Sequence, residues 1–317
     1  MLRFNLPVLA SFVIILAGCS SRGDTGGDRA APDAGSTDGA VRDGSVSDAG
    51  APGGDAGPPS CSEAARWIYL VDSSNQFLRF EPDSHTLTMV GTLACPAASG
   101  ATPFSMGVDR NAVAWVLFND GTIFDVDITT AACSATSFVP NQMGFQVFGM
   151  GFVSDTAGSA TESLYIAGGP LSGIGGGAST LGRIDPTTLS VSRIGGVSGS
   201  PELTGNAAAE LWGFFPDSTP MTVQQLDKGT GSPLRTFDVS AIGTSGTVGP
   251  SGATGGAAWA FAFWGGRYYI FYQGLLDAST NIWRMTPDTG AVEPVEMNIG
   301  HRIVGAGVST CAPLTLI

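Results

Sequence analysis

The chain has 317 residues, 13% of them charged, and a formal net charge of −13. So acidic a balance argues against nucleic acid as a partner. The single lysine, Lys228, follows an aspartate, which rules out a phosphate-binding loop.

At the N-terminus, Arg3 is the only charge ahead of an apolar run over residues 6–17 (LPVLASFVIILA). A helix needs about 20 apolar residues to cross a bilayer, so this run suits the core of a signal peptide rather than a permanent span. It ends in Leu16-Ala17-Gly18-Cys19. Basic start, apolar core and small residues before a cysteine together resemble the bacterial lipobox. That resemblance implies removal of residues 1–18, diacylglycerol on the Cys19 thiol and an acyl group on its new amine. Two or more acyl chains hold a protein firmly to a membrane. Ser20, rather than aspartate, follows Cys19, which in Gram-negative lipoproteins implies sorting to the outer membrane. The expected address is therefore the bacterial cell envelope, with the membrane as partner through the anchor.

Residues 19–60 change character. Beyond Cys19 the segment has no aromatic residue and only Val41 and Val46 as large aliphatics. Such a chain buries too little apolar surface to offset its ordering entropy and is expected to be a disordered tether, spanning roughly 35 Å on average. Its aspartates lack the fixed ligand spacing, and the glutamate, of a calcium loop.

Residues 61–317 read as all-β, because short apolar segments are punctuated by Gly, Pro, Asp and Asn without a helical period. One module recurs: a strand with an aromatic, a loop, a second strand, then a turn. Its strands begin at Trp67, Ala114, Leu164, Leu211 and Tyr268. Its turns fall at Glu81, Asp127, Asp185, Asp227 and Thr286, a spacing that matches four-stranded blades. A further strand precedes each later unit, placed at residues 106–108, 148–152, 205–209 and 257–263. The last such strand, 303–309, has no unit after it, and the first unit has none before it. A ring solves both problems if the C-terminal strand completes the first blade. This resembles a β-propeller of about five blades. Tyr165-Ile166-Ala167-Gly168-Gly169 is similar to kelch repeats, in the generic manner of kelch- and YVTN-type propellers, without matching one family.

Four cysteines follow Cys19: Cys61, Cys95, Cys133 and Cys311. In an exported chain they are expected in disulfides, and three pairings are possible. A closed ring favours Cys61–Cys311 as its staple, worth on the order of 4–5 kcal/mol in the chain-entropy model. That leaves Cys95–Cys133 to join outer strands of neighbouring blades. Without a CxxC or a nearby histidine, metal binding by these residues is disfavoured.

Nothing in the residues names a reaction, a cofactor or a metal. His85 and His301 stand alone, and neither a GxSxG nor an HExxH motif occurs. Residues 173–178 (GIGGGA) open no helix and lack the setting of a dinucleotide loop. Asp125 and Asp127 share one strand face, where a solvent-facing edge is the expectation and a cation the alternative. Trp259, Phe261 and Phe263 alternate with Ala258, Ala260 and Ala262, which reads as blade core. The sharper alternative is a sugar-stacking platform, decided by the burial of Trp259. The functional expectation is a lipid-anchored envelope protein presenting a propeller as a binding module for a protein or glycan. The alternatives are an exported hydrolase or lyase, and a structural surface protein without a small ligand.

Overall fold

The computed structural model describes residues 61–173, 177–244 and 256–316; Cys19, the signal and the linker lie outside them. The segments read as strands pair antiparallel into five four-stranded sheets. Blade 1 contains β1 (Ile68–Asp72), β2 (Gln76–Glu81) and β3 (Thr86–Thr92). Blade 2 runs β4 (Pro103–Val108), β5 (Val113–Phe118), β6 (Ile123–Asp127) and β7 (Cys133–Ala135). Blade 3 runs β8 (Val147–Ser154), β9 (Glu162–Gly169), β10 (Ala178–Ile184) and β11 (Val191–Ser198). Blade 4 runs β12 (Glu202–Gly205), β13 (Leu211–Phe215), β14 (Thr222–Leu226) and β15 (Pro233–Asp238). Blade 5 runs β16 (Gly256–Trp264), β17 (Arg267–Gly274), β18 (Asn281–Met285) and β19 (Val292–Glu296). The last strand, β20 (Ile303–Gly307), pairs with β1 as the innermost strand of blade 1, with Leu70 opposite Ala306. The chain thus forms a five-bladed β-propeller closed by its C-terminal strand, and every sheet of the ring is completed by strands within 61–316.

Strand alternation explains how one sheet serves two neighbours. Ile68 and Leu70 of β1 pack towards blade 5, against Ala260, Ala262 and Phe271. The intervening Tyr69 and Val71 pack towards blade 2, against Met106, Val116 and Phe124. Successive side chains point to opposite faces, so a strand between two blades must be apolar on both, as residues 68–71 of β1 are, with Asp72 only at its end. Five separate cores result, one in each gap between adjacent blades.

At the axis the innermost strands approach backbone to backbone. A Cβ on Gly149 of β8 would lie 2.2 Å from the Pro201 carbonyl oxygen beside β12, and one on Gly205 of β12 would lie 2.4 Å from the Phe152 carbonyl oxygen of β8. Only glycine permits that approach. Further along the ring, the Phe263 amide donates to Thr204 Oγ1 at 3.0 Å, joining β16 to β12.

The recurring turn is one structure used five times. In blades 2 to 5 the amide of its fifth residue donates to the carbonyl of its first: Ala131 to Asp127, Leu189 to Asp185, Gly231 to Asp227 and Gly290 to Thr286, at 2.8–2.9 Å. The fifth residue is left-handed in every blade, at His85 (φ 54°), Ala131 (60°), Leu189 (57°), Gly231 (80°) and Gly290 (72°). Where an aspartate leads, its carboxylate accepts from the next amides. Hydrogen bonds from the Thr129 hydroxyl and amide, then from Thr130, hold Asp127 down at about 2.

Two expected placements need correction. The innermost strand of blade 4 is Glu202–Gly205, not 205–209. Asn206 ends it, its Oδ1 accepting from the amides of Ala208 and Glu210 around a left-handed Ala209. The two disulfides pair as the ring favours. Cys61–Cys311 (Cα–Cα 5.7 Å) joins the chain ahead of β1 to the chain after β20. Cys95–Cys133 (5.1 Å) ties the connection between β3 and β4, rather than an outer strand, to outer strand β7.

The shared turn makes a paired prediction. His85 is exposed and left-handed, so His85→Gly should raise the chemical-denaturation stability by about 0.5–1 kcal/mol. Gly290→Ala should lower it by about 1–2 kcal/mol, because its Cβ would also meet the Phe237 ring at 2.7 Å.

Candidate functional site

The first residues of the innermost strands gather at one end of the axis. Phe104 of β4, Glu202 of β12, Trp259 of β16 and Arg302, just ahead of β20, line a cavity of about 220 Å³. A narrower cavity of about 40 Å³ adjoins it between blades 3 and 4, past Gly169 and Pro170. Phe104, Glu202 and Trp259 form walls of both.

Each side chain is held there by its strand. Glu202 is 3% exposed. Its carboxyl reaches over Gly149, which offers no side chain to block it, and accepts from Ser105 Oγ of β4 at 2.9 Å and from the Met150 amide. Burial pushes its pKa well above the usual carboxylate range, and the bonds from Ser105 and Met150 offset only part of that. Burial therefore favours the neutral acid, which offers an O–H donor as well as acceptors. The Arg302 side chain is exposed at the mouth, and its Nη2 donates to the Ala257 carbonyl at 2.5 Å.

The aromatic stripe of β16 divides at this mouth. Phe261 and Phe263 are buried at 0% and 4% exposure in the core between blades 4 and 5. Trp259, on the same face, is only half-buried and forms a wall of both cavities. The blade-core reading thus holds for two rings, while the first packs against the edge of the same core and is partly exposed at the mouth.

At the other end of the axis, Asp109, Arg110, Glu162 and Cys311 border a cavity of about 350 Å³. Both Glu162 oxygens are engaged at 2.7 Å, Oε1 by the Arg110 amide and Oε2 by Thr310 Oγ1. Arg110 Nη1 also donates to Thr310 Oγ1 at 3.0 Å. Burial raises the Glu162 pKa to about 7, against the lowering effect of these two hydrogen bonds. This network ties the segment after β20 to blades 2 and 3, beside the Cys61–Cys311 bridge.

The other residues singled out by sequence stand apart from both mouths or serve the frame. His301 Nδ1 lies 3.0 Å from Asp72 Oδ2, joining the lead-in of β20 to the end of β1. His85 occupies an exposed turn. Asp127 caps its own turn, whereas Asp125 is half-buried and is raised by burial and by nearby Asp109. Among the described residues no group of three or more His, Cys, Asp or Glu could hold a metal ion. The GIGGGA stretch leads into β10, which begins at its last residue, Ala178, and residues 174–176 lie outside the described ones.

Phe104, Glu202 and Arg302 escaped the sequence reading. Their common signal is position: each stands at, or next to, the first residue of an innermost strand. Glu202 also places an acid at the head of an otherwise unionised strand (ELTG). That signal is visible only when the strand is framed correctly, and the expected frame began three residues too late.

No family model and no curated protein matches the chain. Among solved structures it is similar to a protein of unknown function from Bacteroides caccae, at 11% identity and a TM-score of 0.41 over 76% of this chain and 97% of that one. TolB from Acinetobacter baumannii gives 13% identity and 0.40, over 73% of this chain and 52% of TolB. The extracellular domain of a hybrid two-component system from B. thetaiotaomicron gives 13% and 0.39, over 76% of this chain and 30% of that one. Likeness of this degree assigns no activity, ligand or partner to the chain.

Glu162 generates a pH prediction. Its folded pKa lies above its unfolded value of 4.5, so its stabilising contribution is complete below about pH 4.5 and is lost as pH rises through about 7. Between those limits the slope is at most about 1.4 kcal/mol per pH unit. In thermal melts from pH 4 to 8, Glu162→Gln should lose less stability than the wild type as pH rises. Parallel curves would refute the assignment.

Proposed function

We propose that the chain is a lipid-anchored protein of the bacterial outer membrane whose propeller binds a glycan at the mouth lined by Phe104, Glu202 and Trp259. The observation that carries this reading is the position of Trp259. It is half-buried on an axial cavity while the next two rings of its stripe are buried. A flat aromatic face packs against the apolar face of a sugar ring, and a buried carboxyl can donate to or accept from a sugar hydroxyl. At about 220 Å³ the cavity is smaller than the ~300–1,000 Å³ typical of drug-sized ligands, which suits one ring unit at a time.

Binding is favoured over hydrolysis by the lining itself. Among the described residues it carries one carboxyl, Glu202. Glycoside hydrolysis commonly uses two, set about 5–9.5 Å apart across the scissile bond. The anchor rests on the sequence around Cys19, and the ring's own cysteines, paired as Cys61–Cys311 and Cys95–Cys133, accord with an exported chain.

Two measurements test the reading. The propeller, produced as residues 61–317, should bind at least one oligosaccharide of the bacterial envelope by titration calorimetry. Trp259→Ala should weaken that binding at least tenfold, about 1.4 kcal/mol, while a cooperative melt shows that the fold persists despite the packing the ring gives up to the core beside it. A complete envelope-glycan panel without binding would remove the glycan reading and leave a protein partner. For the anchor, the full chain should partition into detergent on phase separation, and Cys19→Ala should move it to the aqueous phase.

A further inference from the structure

We infer that the mouth selects a sugar chain whose terminal residue bears a carboxylate, and that Arg302 reads that carboxylate. This rests on the glycan reading above and adds the class of sugar.

The charge presented by the cavity supports it. Two ionisable side chains line the axial cavity, Glu202 and Arg302. Glu202 is buried, hydrogen-bonded to Ser105 and Met150, and in surroundings that favour its neutral form. Arg302 is exposed, and no described carboxylate lies within ion-pair distance of it. Arg302 is therefore the one ionisable side chain of this lining exposed to an incoming ligand, within a chain of net charge −13. Guanidinium has five N–H donors in a planar fork. One bond, to the Ala257 carbonyl, holds it against the start of β16, leaving other donors for a carboxylate approached in the bidentate manner.

The spacing supports it as well. Ala257, which holds the guanidinium, and Trp259, which offers the ring, are two residues apart on β16. Alternate residues of a strand lie about 7 Å apart. A pyranose ring against Trp259 can extend an exocyclic carboxylate over such a distance. The adjoining cavity, at about 40 Å³, is too small for a second sugar ring, so the mouth seats a single ring, as the end of a chain offers. The acidic surface adds a second condition, because a net negative protein repels a polyanion at long range. A single terminal carboxylate on an otherwise neutral chain satisfies the cavity without that repulsion.

The test uses residues 61–317 and two oligosaccharides of identical neutral chain, one ending in glucuronic acid and the other in glucose. The uronate-ended chain should bind at least tenfold more tightly, and Arg302→Gln should bring the ratio of the two affinities close to one. Arg302→Lys, which keeps the charge without the fork, should retain only part of the preference. Melting midpoints of both variants verify that the fold persists. Equal affinities, or a preference that survives Arg302→Gln, would overturn the assignment while leaving Trp259-dependent glycan binding in place. Binding of neither chain would overturn it too, and the panel and Trp259→Ala results then decide the broader reading separately.

Discussion

The whole molecule depends on how closely its innermost strands approach one another at the axis. Gly149 and Gly205 let β8 and β12 meet backbone to backbone, where a single Cβ would collide with a carbonyl oxygen. With the strands that close, each sheet presses both faces against its neighbours, and the apolar content of the chain divides among five gaps rather than pooling in one core. The tight inner ring also decides where a ligand can go. The cavities described above lie at the strand heads and beyond the strand ends, where the backbones diverge.

Ring closure is the second element of the same logic. A blade array has two unpaired sheet edges unless its ends meet, and open edges invite association with other chains. Here β20 pairs with β1, and three further links converge beside that seam. Cys61–Cys311 covers one end of it, and the Asp72–His301 contact covers the other. Glu162 joins Thr310 to Arg110 across the neighbouring blades. The redundancy is physically reasonable, because β20 and β1 come from opposite ends of the ring and their pairing must overcome a long loop-closure entropy.

Much of this fold was legible in the sequence where its chemistry is local. The turns at Glu81, Asp127, Asp185, Asp227 and Thr286 declared themselves through residues that shape backbone over five positions and pointed to about five blades, while the unpartnered strand 303–309 pointed to closure. The outer strands were illegible for the opposite reason. β15 is exposed along almost its whole length and β3 along much of it, so neither carries an apolar alternation to read. The head of β12 was misplaced because Gly205 and the alanines after it look more strand-like than Glu202. The mouth was hidden at a different level. Phe104, Glu202, Trp259 and Arg302 are distant in sequence and meet only because strand heads converge, and alternation along β16 gives no hint that its first ring is left accessible.

The seam also fixes where the ring begins and ends. Cys61 leads into β1 and Cys311 follows β20, and the bridge between them places entrance and exit on the face away from Trp259 and Arg302. Both described ends of the ring thus lie on the face opposite the aromatic mouth, and a tag or label joined near residue 61 leaves Trp259 and Arg302 clear.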